Sequence, residues 1–443
     1  MTQIPHFELI VRRQKIIDNM SNNSVFIMFS AQTIIRNADV EYPFRQDSSF
    51  WYITGLNEPN SCVVLSKKNT KIEQMIYCQG RDKVKEIWTG RQLDIDEVAE
   101  ITGIKNVVLF KDLEANTMQV ISQILDGVEC IYVDLNSNYQ NIKDDIQNLI
   151  SGDHRRSKSE NITTIQKTSV LINPLRLIKS DWEITQLQLS SDIAIMAHQA
   201  ICKRIKVENN LCENQIEADL YHSFKNQNVN WSYPAIVATG SNACTLHYIQ
   251  NDQIIKNGDL VLVDAGCEYS YYASDITRCY PAGGKFSDAQ KNIYNLVLKA
   301  QLGCIAELGR PNATTLSFHN KAVEILTQGL IDFGILAGNI EENINNKSYS
   351  KYFMHGTGHF LGLDVHDVGE YRKLDGTRSD TKLQAGMVLT VEPGLYFGLQ
   401  DISVPEQYRG IGIRIEDNIV ITPTGIINLT TNLSKTVAEL ENL

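Results

Sequence analysis

The sequence predicts an α+β protein of two domains: an N-terminal α/β domain around a mixed sheet and a larger C-terminal domain with antiparallel sheets. Three observations predict this class. The chain has 443 residues, more than one ordinary core accommodates. Residues 1–173 alternate short apolar strands with helical segments. Residues 174–443 open with helices and carry their strands in separate runs, which favours antiparallel pairing.

The elements of residues 1–173 follow from short apolar runs rich in β-branched residues. Strands are predicted in "NSVFIMFSA", "SCVVLSK", "KIEQMIYCQG" and "CIYVDLN", and helices in "DIDEVAEITG" and "MQVISQILDG". We place the domain boundary near Asn173, because Pro174 is not expected inside a helix. The motif "KSDWE" then predicts the N-terminal cap of a long helix.

Composition and charge exclude several classes of function. The formal net charge of −11 argues against a nucleic-acid partner, which favours a basic face. No window approaches the roughly 18 apolar residues of a membrane span, and the N-terminal residues lack the apolar stretch of a signal peptide. Nine scattered cysteines without a CxxC pair are typical of free thiols in a reducing compartment. We therefore expect a cytoplasmic protein.

Four acidic residues end or interrupt strand patterns in residues 174–443. Asp264 ends "LVLVDAG", and Asp275 precedes "ITRCYP", so a hairpin can bring the two aspartates together. Glu392 ends "MVLTV". Glu416 lies in "GIGIRIEDNIVIT", whose alternation places it on the same face as Arg414 if the segment is one strand. These positions are the first candidates for a site.

Taken singly, each of these acids is more commonly an exposed turn residue. Glu416 departs from that interpretation because its strand is strongly apolar. A buried carboxylate without a partner costs on the order of several kcal/mol. Several acids that converge can all stay ionised only beside positive charge, and a pair of metal ions supplies it. The carboxylates therefore predict a metal site if they meet in the fold.

The segment "MHGTGHFLGLDVHDVG" contains three of the nine histidines of the chain. The spacing of His355 and His359 fits one face of a helix, as in zinc peptidases. Gly356 and Gly358 disfavour a helix, and no glutamate follows His355, so that interpretation fails. In an extended or looped chain, one of the three histidines can join the carboxylates while the others, including His366, flank the cavity.

Together these motifs resemble the pita-bread metallopeptidases, the family of methionine aminopeptidase, prolidase and aminopeptidase P. "VDAGCEYSYYASDITRCYPAGG", "HGTGHFLGLDVHDVG", "LTVEPGLYF" and "YRGIGIRIEDNIVIT" occur in the order of that family. The resemblance implies a C-terminal pita-bread domain with two divalent metal ions. The oxygen-rich ligand set favours Mn²⁺ over zinc. The implied ligands, with His359 the single histidine and Glu416 and Asp275 bridging, are Asp264, Asp275, His359, Glu392 and Glu416.

The N-terminal motifs "NADVEYPFRQDSSFWYITGLNEPN" and "EIWTGRQL" resemble the N-terminal domain of bacterial aminopeptidase P. The implied activity is release of the first residue from peptides with proline in the second position, by attack of a hydroxide that bridges the two metal ions. The resemblance also implies a homo-oligomer, a dimer or tetramer, in which the N-terminal domain lends residues to a neighbouring site. A prolidase, which cleaves only Xaa-Pro dipeptides, remains an alternative, as does a non-enzymatic binding protein on this fold.

The resemblance also implies roles for individual residues. Glu392 would accept a proton from the attacking water, and His247 and His366 would contact the substrate and the developing charge. His355 would line the proline pocket. Each lone histidine has an alternative as a hydrogen-bonded core residue. We expect Arg414 to form a salt bridge with Glu416. The further expected pocket residues are Arg414, Tyr233, Asp39, Trp88 and Arg378.

Overall fold

The computed structural model describes residues 3–110, 124, 125, 127–134, 162–371 and 376–443. The chain forms two compact units, Met1–Leu175 and Arg176–Leu443. The helix predicted in "MQVISQILDG" (118–127) lies largely outside the described residues. None of the described helices is long and apolar enough to cross a membrane.

The first unit is built around a six-stranded mixed sheet, as predicted. Its strand order is β6-β5-β4-β1-β7-β8. β4 pairs antiparallel with β1 and β5, whereas β1–β7, β5–β6 and β7–β8 are parallel. The strands are β1 (Ser24–Phe29), β2 (Ile35–Asn37), β3 (Val40–Glu41), β4 (Cys62–Lys68), β5 (Lys71–Cys78), β6 (Val107–Leu109), β7 (Cys130–Val133) and β8 (Thr164–Gln166).

Helices flank the strands of this unit in the sequence. The predicted helix in "DIDEVAEITG" is confirmed: Asp94 caps it, and a capping box with Glu97 satisfies its first backbone N–H groups. The helices are α1 (His6–Asn19), α2 (Ser48–Thr54), α3 (Lys83–Thr89) and α4 (Ile95–Thr102), followed by α5 (Ser169–Leu177), which runs into the second unit.

Pro174 lies inside α5, so the argument that placed a boundary before a helix-breaking proline is wrong. Proline removes one backbone N–H, which leaves the carbonyl of Val170 without its usual helical donor. Val170 is 50% exposed, and water can serve a carbonyl at such a position. The short helix therefore tolerates the proline. The long helix predicted after "KSDWE" begins at Asp181, and its cap is the Ser180–Glu183 capping box.

The second unit combines long helices with antiparallel sheets, as predicted. Its sheets have the strand orders β10-β11-β14, β13-β12-β9, β15-β18-β19 and β16-β17. The helices are α6 (Asp181–Val207), α7 (Glu213–Asn226), α8 (Asp288–Leu308), α9 (Thr315–Asp332), α10 (Ile340–Asn345) and α11 (Val437–Asn442). The strands are β9 (Asn230–Trp231), β10 (Ile236–Thr239), β11 (Leu260–Asp264), β12 (Cys267–Tyr269), β13 (Tyr272–Ala273), β14 (Thr277–Pro281), β15 (Val388–Val391), β16 (Gly394–Tyr396), β17 (Gly412–Arg414), β18 (Asp417–Thr422) and β19 (Gly425–Asn428).

"GIGIRIEDNIVIT" is two strands, where the alternation predicted one. β17 pairs with β16, and β18 pairs with β15 and β19. Ile415 and Glu416 lie between them, where the chain passes from one sheet to the other. The backbone N–H of Glu416 bonds to the carbonyl of Thr277, 3.1 Å away, on β14. The crossing puts Glu416 beside the end of β14, where Asp275 also lies.

Candidate metal and substrate site

The antiparallel pairing of β11 and β14 brings two of the predicted acids together. Asp264 ends β11 opposite Thr277 in the register, and Asp275 precedes β14 by two residues. Both aspartates are buried, at 8% and 6% exposure. The Tyr233 hydroxyl lies 2.6 Å from Asp264 Oδ1 and 2.5 Å from Asp275 Oδ1, so a single atom spans the two carboxylates.

His359 joins these acids from a non-helical loop, as predicted. Its Nδ1 lies 3.0 Å from the carbonyl oxygen of Phe360, which can only accept, so Nδ1 carries the proton. Its Nε2 lies 3.3 Å from Asp275 Oδ2 and 3.8 Å from Glu392 Oε1. With Nδ1–H held by the Phe360 carbonyl, Nε2 is the nitrogen that faces the carboxylates, and it would bind a metal ion once it has lost its proton.

Gly358 permits this position of His359. A Cβ added at Gly358 would lie 2.0 Å from the carbonyl oxygen of Thr390 on β15. The Thr390 hydroxyl accepts the backbone N–H of His359 at 3.0 Å. The loop therefore packs directly on the backbone of the strand that leads to Glu392.

Glu416 completes the cluster. Single donor atoms of Asp275, His359 and Glu416 lie within 4.8 Å of one another. The Thr277 hydroxyl donates to Glu416 Oε2 at 2.7 Å and accepts a hydrogen bond from Arg414 Nε at 3.1 Å. Sequence reasoning missed Thr277. Its position two residues after Asp275 was the available signal, because side chains two residues apart in an extended chain point to the same side.

The pKa values of the cluster are those expected where several carboxylates lie close together with too little positive charge to neutralise them. Burial, together with Asp275 and Glu392, raises the pKa of Glu416 well above its ordinary value. Burial likewise raises the pKa of Glu392 to about 7. Burial opposes protonation of His359, but its contact with Asp275 outweighs burial and raises the pKa of His359 to about 9. All three groups therefore bind protons more readily than usual, because the cluster holds more negative than positive charge.

Arg414 pairs with Asp264, where a salt bridge with Glu416 was expected. Its Nη2 donates to Asp264 Oδ2 at 2.6 Å, and its Nη1 donates to the Tyr396 hydroxyl at 3.1 Å. The expectation was wrong because β17 ends at Arg414 and Glu416 lies outside that strand, so the alternation that would have put both side chains on one face does not hold. Arg414 Nε donates to the Thr277 hydroxyl, which in turn donates to Glu416.

The three other candidate histidines lie around the cluster in different environments. His355 is largely buried, and its Nε2 lies 2.8 Å from the Tyr396 hydroxyl. Burial lowers the pKa of His355 to about 3, so its ring is neutral. His366 and His247 are exposed and face the cavity. The His366 ring packs edge-on against His359, with ring centroids 4.4 Å apart. Tyr396, which sequence reasoning also missed, links His355 to Arg414.

Two adjoining cavities lie over this cluster. The first, of about 590 Å³, is strongly polar and is lined by Leu246, His247, Asp264, Asp275, His355, His359, His366, Glu392, Arg414 and Glu416. The second, of about 640 Å³, shares four of these residues and adds apolar walls from Tyr233, Pro234, Ile236, Ile249 and Val365. The structure thus brings together all five predicted ligands and the three predicted histidines.

Three of the expected pocket residues lie elsewhere. Arg378 lines a smaller neighbouring cavity of about 400 Å³, together with His319 and Thr315. Asp39 and Trp88 belong to the first unit. Asp39 is exposed in the turn between β2 and β3, and Trp88 is 85% exposed on α3. Neither is among the residues that line the cavities described above.

The donor set fits divalent metal ions. Four carboxylates and the imidazole of His359 surround a cavity to which Arg414 alone among the lining residues brings a permanent positive charge. The raised pKa values of Glu392 and Glu416 indicate how strongly the site favours added positive charge. Carboxylate oxygens with one imidazole nitrogen suit hard or borderline divalent ions.

This arrangement of antiparallel sheets, helices and a carboxylate–histidine cluster is the pita-bread architecture of metal-dependent peptidases. The chain belongs to metallopeptidase family M24, whose model matches residues 185–423. A second model, the N-terminal domain of aminopeptidase P, matches residues 9–126. Membership of this metallopeptidase family implies divalent metal ions at the site.

The relatives cover the whole chain. The Xaa-Pro aminopeptidase of Escherichia coli is 40% identical over 448 residues, which span 100% of this chain and 98% of the relative. That of Haemophilus influenzae is 39% identical over 444 residues, with the same coverage. The solved structure of zinc-substituted E. coli aminopeptidase P in complex with product has a TM-score of 0.91 at 39% identity, and covers 100% of this chain and 98% of that one.

Proposed function

We propose that this protein is a metal-dependent aminopeptidase that releases the N-terminal residue from peptides with proline in the second position. One observation carries the proposal: Asp264, Asp275, His359, Glu392 and Glu416 converge on one cavity, in a chain of family M24 with an aminopeptidase P N-terminal domain. The full-length similarity to Xaa-Pro aminopeptidases supports the proline specificity.

The proposed cofactor is a pair of Mn²⁺ ions held by these five residues. Four carboxylates balance the charge of two such ions, and their oxygens favour a hard ion. When bound, the ions supply a water of lowered pKa and stabilise negative charge on the carbonyl oxygen of the substrate. A proline amide benefits from this chemistry because its nitrogen is tertiary and its ring is bulky.

The residues of the chain have distinct proposed roles. Glu392, which lines the cavity, accepts the proton of the attacking water. His247 and His366 face the cavity and hydrogen-bond the substrate as charge develops. His355 lines the pocket for the proline ring. Arg414 and Tyr233 hold Asp264 in place, at 2.6 Å each.

The first unit is proposed to act in assembly. We divide the chain into domains at residues 1–173 and 174–443, supported by the compact unit that begins at Arg176. Asp39 and Trp88, exposed in the first unit, are proposed to reach the site of a neighbouring copy in a homodimer or homotetramer. Arg378 stays a proposed substrate-pocket residue, supported by its place in the cavity that shares His359 with the main one. We also propose a cytoplasmic location, supported by nine cysteines without a disulfide.

The test is hydrolysis by metal-stripped protein with and without added Mn²⁺. The substrates are an Xaa-Pro-Yaa tripeptide, the Xaa-Pro dipeptide and an Xaa-Ala-Yaa tripeptide. Manganese-dependent release of Xaa from the first alone, or from the first much faster than the others, is the expected result. Cleavage confined to the dipeptide would make the protein a prolidase. Inactivity on all three at full metal occupancy would contradict an enzymatic function and favour a binding protein.

A further inference from the structure

A buried group of opposite charges lies directly behind the loop that carries His366. We propose that Arg176, Lys179 and Asp367 are positioning residues that hold His366 against the metal-binding cluster. The inference rests on the proposed function and deepens it, because it assigns a role in the reaction to two buried cations and an aspartate.

Asp367 is fixed through each of its polar atoms. Its backbone N–H donates to the carbonyl of Phe360 at 2.9 Å, and its own carbonyl accepts from the Tyr371 hydroxyl at 2.7 Å. Its carboxylate accepts from Lys179 Nζ at 2.9 Å and from Arg176 Nη2 at 2.5 Å. The side chains of Lys179 and Asp367 are both 1% exposed. Such a buried, fully paired group is rigid because any displacement leaves a charge unpaired.

The rest of the loop is adapted to this ion pair. Arg176 Nη2 also donates to Asp364 Oδ2 at 2.7 Å, so one guanidinium holds two acids of the loop. A Cβ added at Gly362 would lie 2.1 Å from Asp367 Oδ2 and 2.9 Å from Lys179 Cε. The ion pair therefore occupies the space that any larger residue at position 362 would need.

The backbone of Lys179 is itself held in place. The backbone N–H of Lys179 donates to the carbonyl of Gly386 at 2.8 Å. The next residue, Ser180, is the cap of α6, a helix of 27 residues. The anchor for the loop is thus the start of a long buried helix, and motion of the loop is resisted by the body of the second unit.

His366 is the cavity residue next to this anchor. It is exposed, and its ring packs at 84° against His359 with centroids 4.4 Å apart. Its placement depends on the backbone that Asp367 fixes. Because a displacement of about 1 Å can lower a rate by roughly 100-fold, loss of the anchor is expected to act on the step in which His366 contacts the substrate.

The experiment is a double-mutant cycle with metal-reconstituted, full-length protein and an Xaa-Pro-Yaa substrate. Lys179→Met is compared with Lys179→Arg, each alone and combined with His366→Ala. We expect Lys179→Met to lower kcat by at least about tenfold with a smaller change in KM, and Lys179→Arg to recover part of the loss. In the His366→Ala background, Lys179→Met should change kcat by less than about twofold.

A stability-matched control separates positioning from general damage. Leu326→Ala removes a fully buried side chain from α9 and should lower stability without the selective loss of kcat. If Lys179→Met does not fold, Gly362→Ala tests the same displacement of Asp367 and should obey the same cycle. Equal losses of kcat in both backgrounds, or no loss at all, would overturn the inference. An inactive wild-type protein would instead overturn the proposed function, and the inference with it.

Discussion

The Thr277 hydroxyl joins a predicted metal ligand to the one permanent cation of the cavity lining. It donates to Glu416 and accepts from Arg414, and it is fully buried. Such a contact fixes the orientation of a ligand carboxylate before metal arrives. The position of Thr277 two residues after Asp275 could have marked it as a neighbour of the site, but the two partners of its hydroxyl could not be predicted, because both lie more than 130 residues away in the chain.

Replacement of that hydroxyl should weaken metal binding. We expect Thr277→Val to lower the affinity for Mn²⁺ by about tenfold, since ligand-orienting residues typically contribute 10–100-fold. Competition with a fluorescent chelator measures it. Thr327→Val is the matched control, because the Thr327 hydroxyl is buried without a hydrogen-bond partner among the described residues. An equal effect of both variants would contradict the role of Thr277.

A second residue-scale prediction concerns pH and stability. His198 is fully buried, with Nε2 3.0 Å from the carbonyl of Ala265 and Nδ1 3.0 Å from the Tyr280 hydroxyl. Burial lowers the pKa of His198 from 6.5 to about 4. His198 is therefore protonated below about pH 6.5 in the unfolded chain but only below about pH 4 in the folded chain. The contribution of His198 to the stability should fall by on the order of 3 kcal/mol across this interval and change little outside it.

The measurement is urea unfolding of metal-free protein from pH 7 to pH 4. His198→Gln should be less stable than wild type at pH 7, and the difference should shrink as the pH falls through this interval. His222→Gln, at an exposed position on α7, is the control and should follow the wild-type curve. A constant difference between His198→Gln and wild type at all pH values would contradict the account.

At the scale of elements, alternation and apolar runs predicted the strands that carry the ligands but not the sheets to which they belong. "LVLVD" and "TRCYP" pair as expected, because the two strands of a hairpin are close together in the sequence. The division of "GIGIRIEDNIVIT" at Glu416 depends on a hydrogen bond to Thr277, 139 residues away. That distance also explains the wrong partner predicted for Arg414. A contact between residues so far apart in the chain cannot be predicted from the pattern of a short segment.

The close packing of the "HGTGHF" loop on β15 gives a prediction at this scale. Gly358→Ala would place a Cβ 2.0 Å from the carbonyl of Thr390, so the loop must move and take His359 with it. We expect a loss of stability of about 1–3 kcal/mol and weaker metal binding. Gly398→Ala has nothing within 4 Å of its added Cβ and serves as the control. Unaltered metal affinity in Gly358→Ala would show that His359 is not a ligand.

At the scale of the whole molecule, the proposed metal ions are part of the fold. The second unit buries three carboxylates of the cluster almost completely and a fourth, Glu392, in large part. Removal of the ions by a chelator should lower the unfolding midpoint, and excess Mn²⁺ should restore it. At 1,000 times Kd the restoration corresponds to about 4 kcal/mol. A midpoint unaffected by chelation would indicate that the acids are stable without metal.

The five candidate ligands and the two-part architecture could be predicted from the sequence, because both depend on local residue patterns and on the order of the motifs. The sequence did not indicate that Asp39 and Trp88 lie exposed and outside the lining of the cavities, and the role proposed for them would need a second copy of the chain. Likewise, the anchor at Lys179 depends on a contact with Asp367, 188 residues along the chain.

The central claim is that five residues of the second unit hold two divalent ions, and anomalous diffraction from crystals grown with Mn²⁺ tests it directly. The account predicts two manganese peaks in the cavity lined by these residues. Contacts to both ions should come from the donor atoms of Asp264, Asp275, His359, Glu392 and Glu416. A cavity without manganese, or manganese bound only elsewhere on the chain, would contradict it.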